Sequence, residues 1–197
     1  MVLQDRVISL FHNTMEVNAQ TIEEYTPLIA HAGELLLGCL VTESKILCCG
    51  NGGSAALAQH FSTLLMNQFR HERPGLPAIS LNSDGSALTG IASDSHYNDI
   101  FSKQIRALGQ PGDLLLILSN DGRSANLVQA IQAAHDRDML VIALTGGTND
   151  NIQSLLLPDE VEFCIPADDE GLIYGAHMLI LHALSDLIDY QLFGGEE

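Results

Sequence analysis

Five short apolar runs, each closed by turn residues, constrain this chain more than anything else in its 197 residues. They are Lys45–Cys49, Leu76–Leu81, Asp113–Leu118, Met139–Leu144 and Val161–Ile165. Runs of this length are strands rather than helices. Their near-continuous apolarity means that both faces are covered, which is the habit of a parallel sheet with helices on either side. The segments between them carry helical spacing: Ser54–Gln68, Ser86–Ser93 with Asp99–Leu108, Ser124–Arg137 and Asp150–Leu156, then a last helix from Glu170 to Phe193. Ahead of the first strand, Val7, Leu10, Phe11, Leu28, Ile29, Leu35, Leu36 and Leu40 recur at helical spacing, with Pro27 at a boundary between two helices. The expected fold is a doubly wound α/β domain. A five-stranded parallel sheet is flanked by helices, in one domain over 1–197 that includes a helical extension over 1–43. In such sheets ligands bind beyond the carboxyl ends of the strands, where loops feed helix N-termini.

Charge narrows the function. The chain is 46% hydrophobic and 17% charged, with a formal net charge of -17. A surface this acidic repels nucleic-acid backbones and anionic lipid, so direct binding to either is not expected. The four cysteines, Cys39, Cys48, Cys49 and Cys164, show no CxxC spacing. They read as reduced core thiols, with Cys48 and Cys49 on opposite faces of one strand. The N-terminus lacks the basic-then-apolar pattern of a signal peptide, and the apolar runs are short for a membrane span. A cytoplasmic location is expected.

Two strand-to-helix loops carry the chemistry. CGNGGS, Cys49–Ser54, follows the first strand, and its glycines allow a tight turn and close backbone approach to a ligand. A helix N-terminus supplies unpaired amides and partial positive charge, which suit phosphate. The motif is neither the Walker form nor the full dinucleotide form, since Ala55 stands where a third glycine belongs. SNDGRS, Ser119–Ser124, follows the third strand; Ser124 is suited to cap the next helix and Ser119 to donate to a phosphate oxygen.

With these motifs, the stretches KILCCGNGGSAALAQHF, RPGLPAISLN, FSKQIRALGQPGDLLLILS and LVIALTG resemble the SIS (sugar isomerase) domain family. The similarity runs over essentially the whole chain. Within the family it points to the phosphoheptose isomerase group and its relative DiaA, which binds the replication initiator DnaA. The resemblance implies a homotetramer and a sugar-phosphate pocket formed by Asn51, Gly52, Gly53, Ser54, Ser119, Asn120, Gly122 and Ser124. It also implies how catalysis is arranged. In the isomerases a His and a Glu four residues later on the helix after the first loop, with a Gln and a His on the last helix, hold zinc and move protons. Mapped here, His60 and His182 are present, whereas the Glu position is Leu64 and the Gln position is Tyr174, followed by Gly175. His177 also matches a family position, on another side of the helix. The Asp-Arg pair before the Gln is Gly171-Leu172, and the second loop carries Asp121 where the family has neutral hydroxyls.

From these departures the expectation is a non-catalytic regulator resembling DiaA, which binds a DnaA-type initiator and promotes chromosome replication. Leu192 and Phe193, near the end of the last helix, are its candidate partner or subunit contact. His60 and His182 are then the residue of an incomplete metal site, and no cofactor is expected. The alternative is a working phosphoheptose isomerase, with His182 catalytic and zinc as cofactor. A third reading is a sugar-phosphate sensor that binds through Asn51, Ser54, Ser119 and Ser124 without turnover.

Overall fold

In the computed structural model, which describes residues 2–147 and 152–194, the elements run in the order α1 (Leu3–Val41), β1 (Ile46–Gly50), α2 (Gly53–Met66), β2 (Ala78–Ser80), α3 (Gly85–Asp94), α4 (Ser102–Leu108), β3 (Leu114–Leu118), α5 (Ala125–His135), β4 (Leu140–Gly146), β5 (Val161–Ile165) and α6 (Glu170–Phe193). Single 3-10 turns at Tyr97–Asp99 and Gln153–Leu155 complete the connections. All five strands pair in parallel in the order β2-β1-β3-β4-β5. The chain runs outward from β1 to the β2 edge and then returns to β3. The switch point therefore lies between β1 and β3, where Gly50 pairs with Leu118.

Alternation along the strands divides the core in two. Ile46, Cys48, Leu114, Leu116, Ile142, Leu144 and Phe163 face α1, α2 and α6, where Leu36, Phe61, Ile180 and Leu184 meet them. Leu47, Cys49, Leu115, Ile117, Val141 and Ala143 face the other way, onto Phe101, Ile105, Leu127 and Ile131. Cys48 and Cys49 thus belong to opposite faces, and the cysteines are not joined as disulfides. Burial pushes the Cys48 thiol up to about 12, so it packs as an apolar group.

Three expectations need correction. Pro27 does not divide two helices: it lies inside α1, a continuous helix of 39 residues. Tyr25 donates to the Cys164 carbonyl at 2.8 Å, and Leu28 and Ile29 pack on the core. These contacts grip both sides of the proline and offset the roughly 3 kcal/mol it costs inside a helix. The second strand is only Ala78–Ser80, because Pro77 has no N–H to give the ladder, although its carbonyl accepts from Ile46 at 3.0 Å. The helical pattern over Asp150–Leu156 falls partly outside the described residues, and its described part is the 3-10 turn at Gln153–Leu155.

α6 is also more apolar than its short runs suggest. An 18-residue stretch of this 24-residue helix reaches a mean hydropathy of 1.4, enough by length and composition alone to cross a membrane. Here its Ile173, Ala176, Ile180, Leu181, Leu184 and Ile188 are buried in the core beside the sheet.

Candidate functional site

The first loop is built by steric exclusion. A Cβ on Gly50 would lie 2.8 Å from the carbonyl carbon and Cβ of Ser54 and 2.9 Å from the Leu118 carbonyl oxygen. Only glycine lets β1 turn this closely into α2. Gly52 follows with φ +54°, a conformation that a side chain disfavours. Ser54, 1% exposed, is the first buried side chain of α2, and its hydroxyl lies beside that of Tyr174. Tyr174 reaches over from α6 so that its ring covers Gly53, within 2.7 Å of where a Cβ would stand. Burial pushes the Tyr174 hydroxyl up from its ordinary pKa, and the charges of Glu170 and Asp121 push the same way. The neighbouring Ser54 hydroxyl and Gly53 amide oppose them.

Asn51 is held on two sides. Its amide exchanges a reciprocal pair of hydrogen bonds, both 2.9 Å, with the buried amide of Asn126 on α5. The Tyr97 hydroxyl donates to Asn51 Oδ1 at 3.1 Å. One N–H of Asn51 is left to serve a ligand oxygen. Neither Asn126 nor Tyr97 stood out in the sequence; an Asn at the second position of a helix carries no motif, and only the packing of α5 against the first loop makes the pair. Beside it a cavity of about 320 Å³ is lined by Gly50, Asn51, Asn82, Thr89 and Tyr97.

The second loop faces the first across the switch point. Ser119 is buried; its Oγ accepts from the Gly122 amide at 3.0 Å and donates to Asp121 Oδ1 at 3.2 Å. The same carboxylate oxygen accepts from the Arg123 amide at 3.0 Å. Gly122 takes φ +64°, which lets the loop curl around Ser119. Asn120 is half-buried at the strand end. Ser124 occupies the N-cap position of α5 through its carbonyl, which accepts from Leu127 and Val128, while its hydroxyl makes no capping bond. So the expected side-chain cap is not formed, and Ser119 bonds to Asp121 within its own loop.

Deeper along α2 stands the imidazole pair. α2 and α6 run side by side in the same direction, since Gly53 meets Tyr174 and His60 meets His182. The two Nε2 atoms are 2.9 Å apart, so one ring carries the proton and the other accepts it. Phe69 packs on His182 with ring centroids 5.3 Å apart. The His182 pKa is lowered, mostly by burial and then by His60 and Arg70, which favours the neutral form of that ring. His177 does not join it. It is fully buried, with Nε2 2.9 Å from the Thr145 carbonyl, and burial pushes its pKa down to about 4.

Zinc requires more donors than these. Structural and catalytic zinc sites use three or four protein ligands. Among the described residues no three His, Cys, Asp or Glu side chains converge, and the two imidazole nitrogens are within hydrogen-bonding distance of each other. The donor set of one copy of this chain does not fit a zinc ion.

At the far end of α6, Leu192 is half-buried against the core, whereas Phe193 is 48% exposed with the Arg73 guanidinium 6.0 Å from its ring centre. Arg73 itself is buried, and its Nε donates to Asp189 at 2.7 Å. These residues are remote in sequence from both loops and touch neither of them.

Comparison with known proteins agrees with this architecture. The SIS domain family model matches residues 10–146. A phosphoheptose isomerase from Chromohalobacter salexigens is 52% identical over 197 residues, the whole of both chains. Among solved structures, a phosphoheptose isomerase from Neisseria gonorrhoeae superposes with a TM-score of 0.90 at 41% identity, covering 95% of this chain and 99% of that one. One from Francisella tularensis gives 0.92 at 39%, covering 96% and 99%. Identity at this level and over full length overturns the expectation of a non-catalytic, DnaA-binding regulator. That expectation weighed Leu64 and Tyr174 as lost catalytic groups, yet the structure keeps His60 and His182 in direct contact. This chain belongs to the SIS domain family, in its phosphoheptose isomerase subgroup.

Proposed function

We propose that the protein is an isomerase that interconverts a heptose phosphate ketose, sedoheptulose 7-phosphate, and the matching aldose. One observation carries the reading beyond the family match. His60 lies seven residues beyond Gly53 on α2, about 10 Å along the axis at 1.5 Å per residue. A seven-carbon chain with phosphate on its last carbon spans about the same distance between phosphorus and its first two carbons. A phosphate at the loops then brings C1 and C2 to the imidazoles.

The chemistry follows from the pair. In the ketose, the unprotonated imidazole removes a proton from C1 while its partner gives one to the C2 carbonyl oxygen, which forms the enediol. Return of a proton to C2 and loss of the O1 proton yield the aldose. Two adjacent imidazoles, one protonated on Nε2 and one not, suit both halves of this exchange. The first loop holds the phosphoryl end through Asn51 and Ser54, the second through Ser119 and Ser124. Among the described residues of one copy no ligand set for zinc is assembled, and the imidazoles carry the proton transfers.

The substrate is a small soluble anion, which suits a cytoplasmic protein. We take the working unit to be a homotetramer. Leu3, Val7, Leu10, Phe11 and Met15 leave the free half of α1 broadly apolar and exposed in one copy, more than a solitary helix normally shows.

The deciding experiment is turnover of sedoheptulose 7-phosphate by the purified protein, with and without added zinc. Wild type should convert it, and His182→Asn and His60→Asn should lower kcat by about a hundredfold or more with folding intact. No turnover by the wild type under either condition would overturn the reading.

A further inference from the structure

We infer that the Asp121 carboxylate is a tethered anion that occupies the second loop and sets its affinity for phosphate. A phosphoryl group enters the loop by displacing it. The inference rests on the reading of Ser119–Ser124 as a phosphate loop and goes beyond it, because it assigns the loop's strength to one residue.

The geometry is specific. Asp121 Oδ1 takes the hydrogen of Ser119 Oγ and the amide hydrogen of Arg123, at 3.2 and 3.0 Å. These are the kinds of donor that a phosphate oxygen takes in such loops. Ser119 is buried and its hydroxyl has a single hydrogen, so while Asp121 holds that hydrogen no ligand oxygen can. The carboxylate itself is on an exposed residue, so it can swing into water at small cost. Its charge also reaches the cleft, where it acts on the Tyr174 hydroxyl.

Arg123 supplies the opposite influence. Lys45, Arg70, Arg73 and Arg106 are each paired with a carboxylate. Arg123, like Arg6, Lys103 and Arg137, has no ion pair among the described residues, and it alone of these four lies in the second loop, in a chain of net charge -17. Its amide serves Asp121 while its guanidinium is left for an incoming anion. The loop is therefore a near-neutral device in which a ligand phosphate replaces the carboxylate opposite Arg123.

The test is binding of inorganic phosphate by titration calorimetry at fixed ionic strength, in the full-length protein. Asp121→Ser removes the tethered anion and should tighten phosphate about tenfold, the scale of one charge-assisted hydrogen bond. Asp121→Asn keeps the side-chain oxygen that the Arg123 amide needs and removes the charge, so it preserves the turn and should tighten binding by a smaller factor. Arg123→Gln should weaken binding by a comparable factor. Unchanged or weaker phosphate binding in both Asp121 variants, with wild-type binding measurable, overturns the inference and leaves the phosphate loop standing. Absence of phosphate binding in the wild type and in both Asp121 variants overturns the loop reading and the inference together.

Discussion

Replacing Gly50 by alanine tests how the first loop is made. The new methyl would stand 2.8 Å from two Ser54 carbons and 2.9 Å from the Leu118 oxygen. Ordinary carbon contacts are about 3.5–4.0 Å, so each neighbour must retreat by roughly half an ångström or more. Two of the three atoms are backbone and cannot rotate away. One belongs to the first turn of α2 and the other to β3, whose Leu118 pairs with Gly50 itself. Relief in either direction loosens the switch point. Overpacked sites cost about 1–3 kcal/mol, and backbone neighbours place this one near 3. Against a typical total of about 5–15 kcal/mol that is a large fraction. For a chain of this size it lowers the melting temperature by roughly 6–12 °C. The assay is urea and thermal unfolding at matched protein concentration, beside Gly90→Ala as control. Nothing lies within 4 Å of a Cβ at Gly90, which sits inside α3. The control should gain about 0.5–1 kcal/mol, since alanine is the better helix former. If Gly50→Ala unfolds within about 0.5 kcal/mol of wild type, the close approach of β1 to α2 is not as described and the steric argument fails.

Other predictions concern the polar groups. Asn126→Ala leaves the Asn51 amide half-satisfied in a buried setting. It should cost about 1–3 kcal/mol in urea unfolding and raise the KM for the sugar phosphate more than it lowers kcat. His177 has a folded pKa of about 4 against an ordinary 6.5. The unfolded chain therefore binds the extra proton first. The stability this group contributes is complete above pH 6.5 and is lost progressively as pH falls toward 4, by roughly 3 kcal/mol in all. His177→Gln should flatten unfolding free energy against pH across that window. The lowered His182 pKa means this ring stays neutral to a lower pH than a free histidine. The acid limb of kcat/KM should accordingly fall below the ordinary imidazole value, and a limb at or above it would contradict the burial of that ring. Phe11→Ser removes an exposed apolar side chain from the free half of α1 and should weaken the proposed tetramer in sedimentation without unfolding the protomer; an unchanged sedimentation profile would count against that assembly.

The sheet was legible because its strands are uniformly apolar and short, a pattern that only a parallel sheet covered on both faces requires. The two loops were legible for a related reason: glycine and serine after an apolar run mark a strand turning into a helix. Pro27 misled because local backbone preference is weak beside tertiary grip. Tyr25 and Leu28 hold α1 through it, and those contacts reach Cys164 and the core from 100 or more positions away. The site was legible by residue type and not by state. Sequence placed Ser119 and Asp121 in one loop, but whether the carboxylate faces water or the serine hydroxyl depends on the φ of Gly122.

Sequence alone determined the layer order, the two loops at the strand ends and the presence of two histidines at helical positions. Each of these follows from spacing and composition within a few turns of chain. The tertiary structure decided what those groups do. His60 and His182 are 122 positions apart and Asn51 and Asn126 are 75, and they meet only because α2, α6 and α5 are packed on one sheet at fixed registers. A hydrogen bond of 2.9 Å between side chains so distant in sequence is a property of that packing, and it turned two residues of an incomplete metal site into a proton-sharing pair.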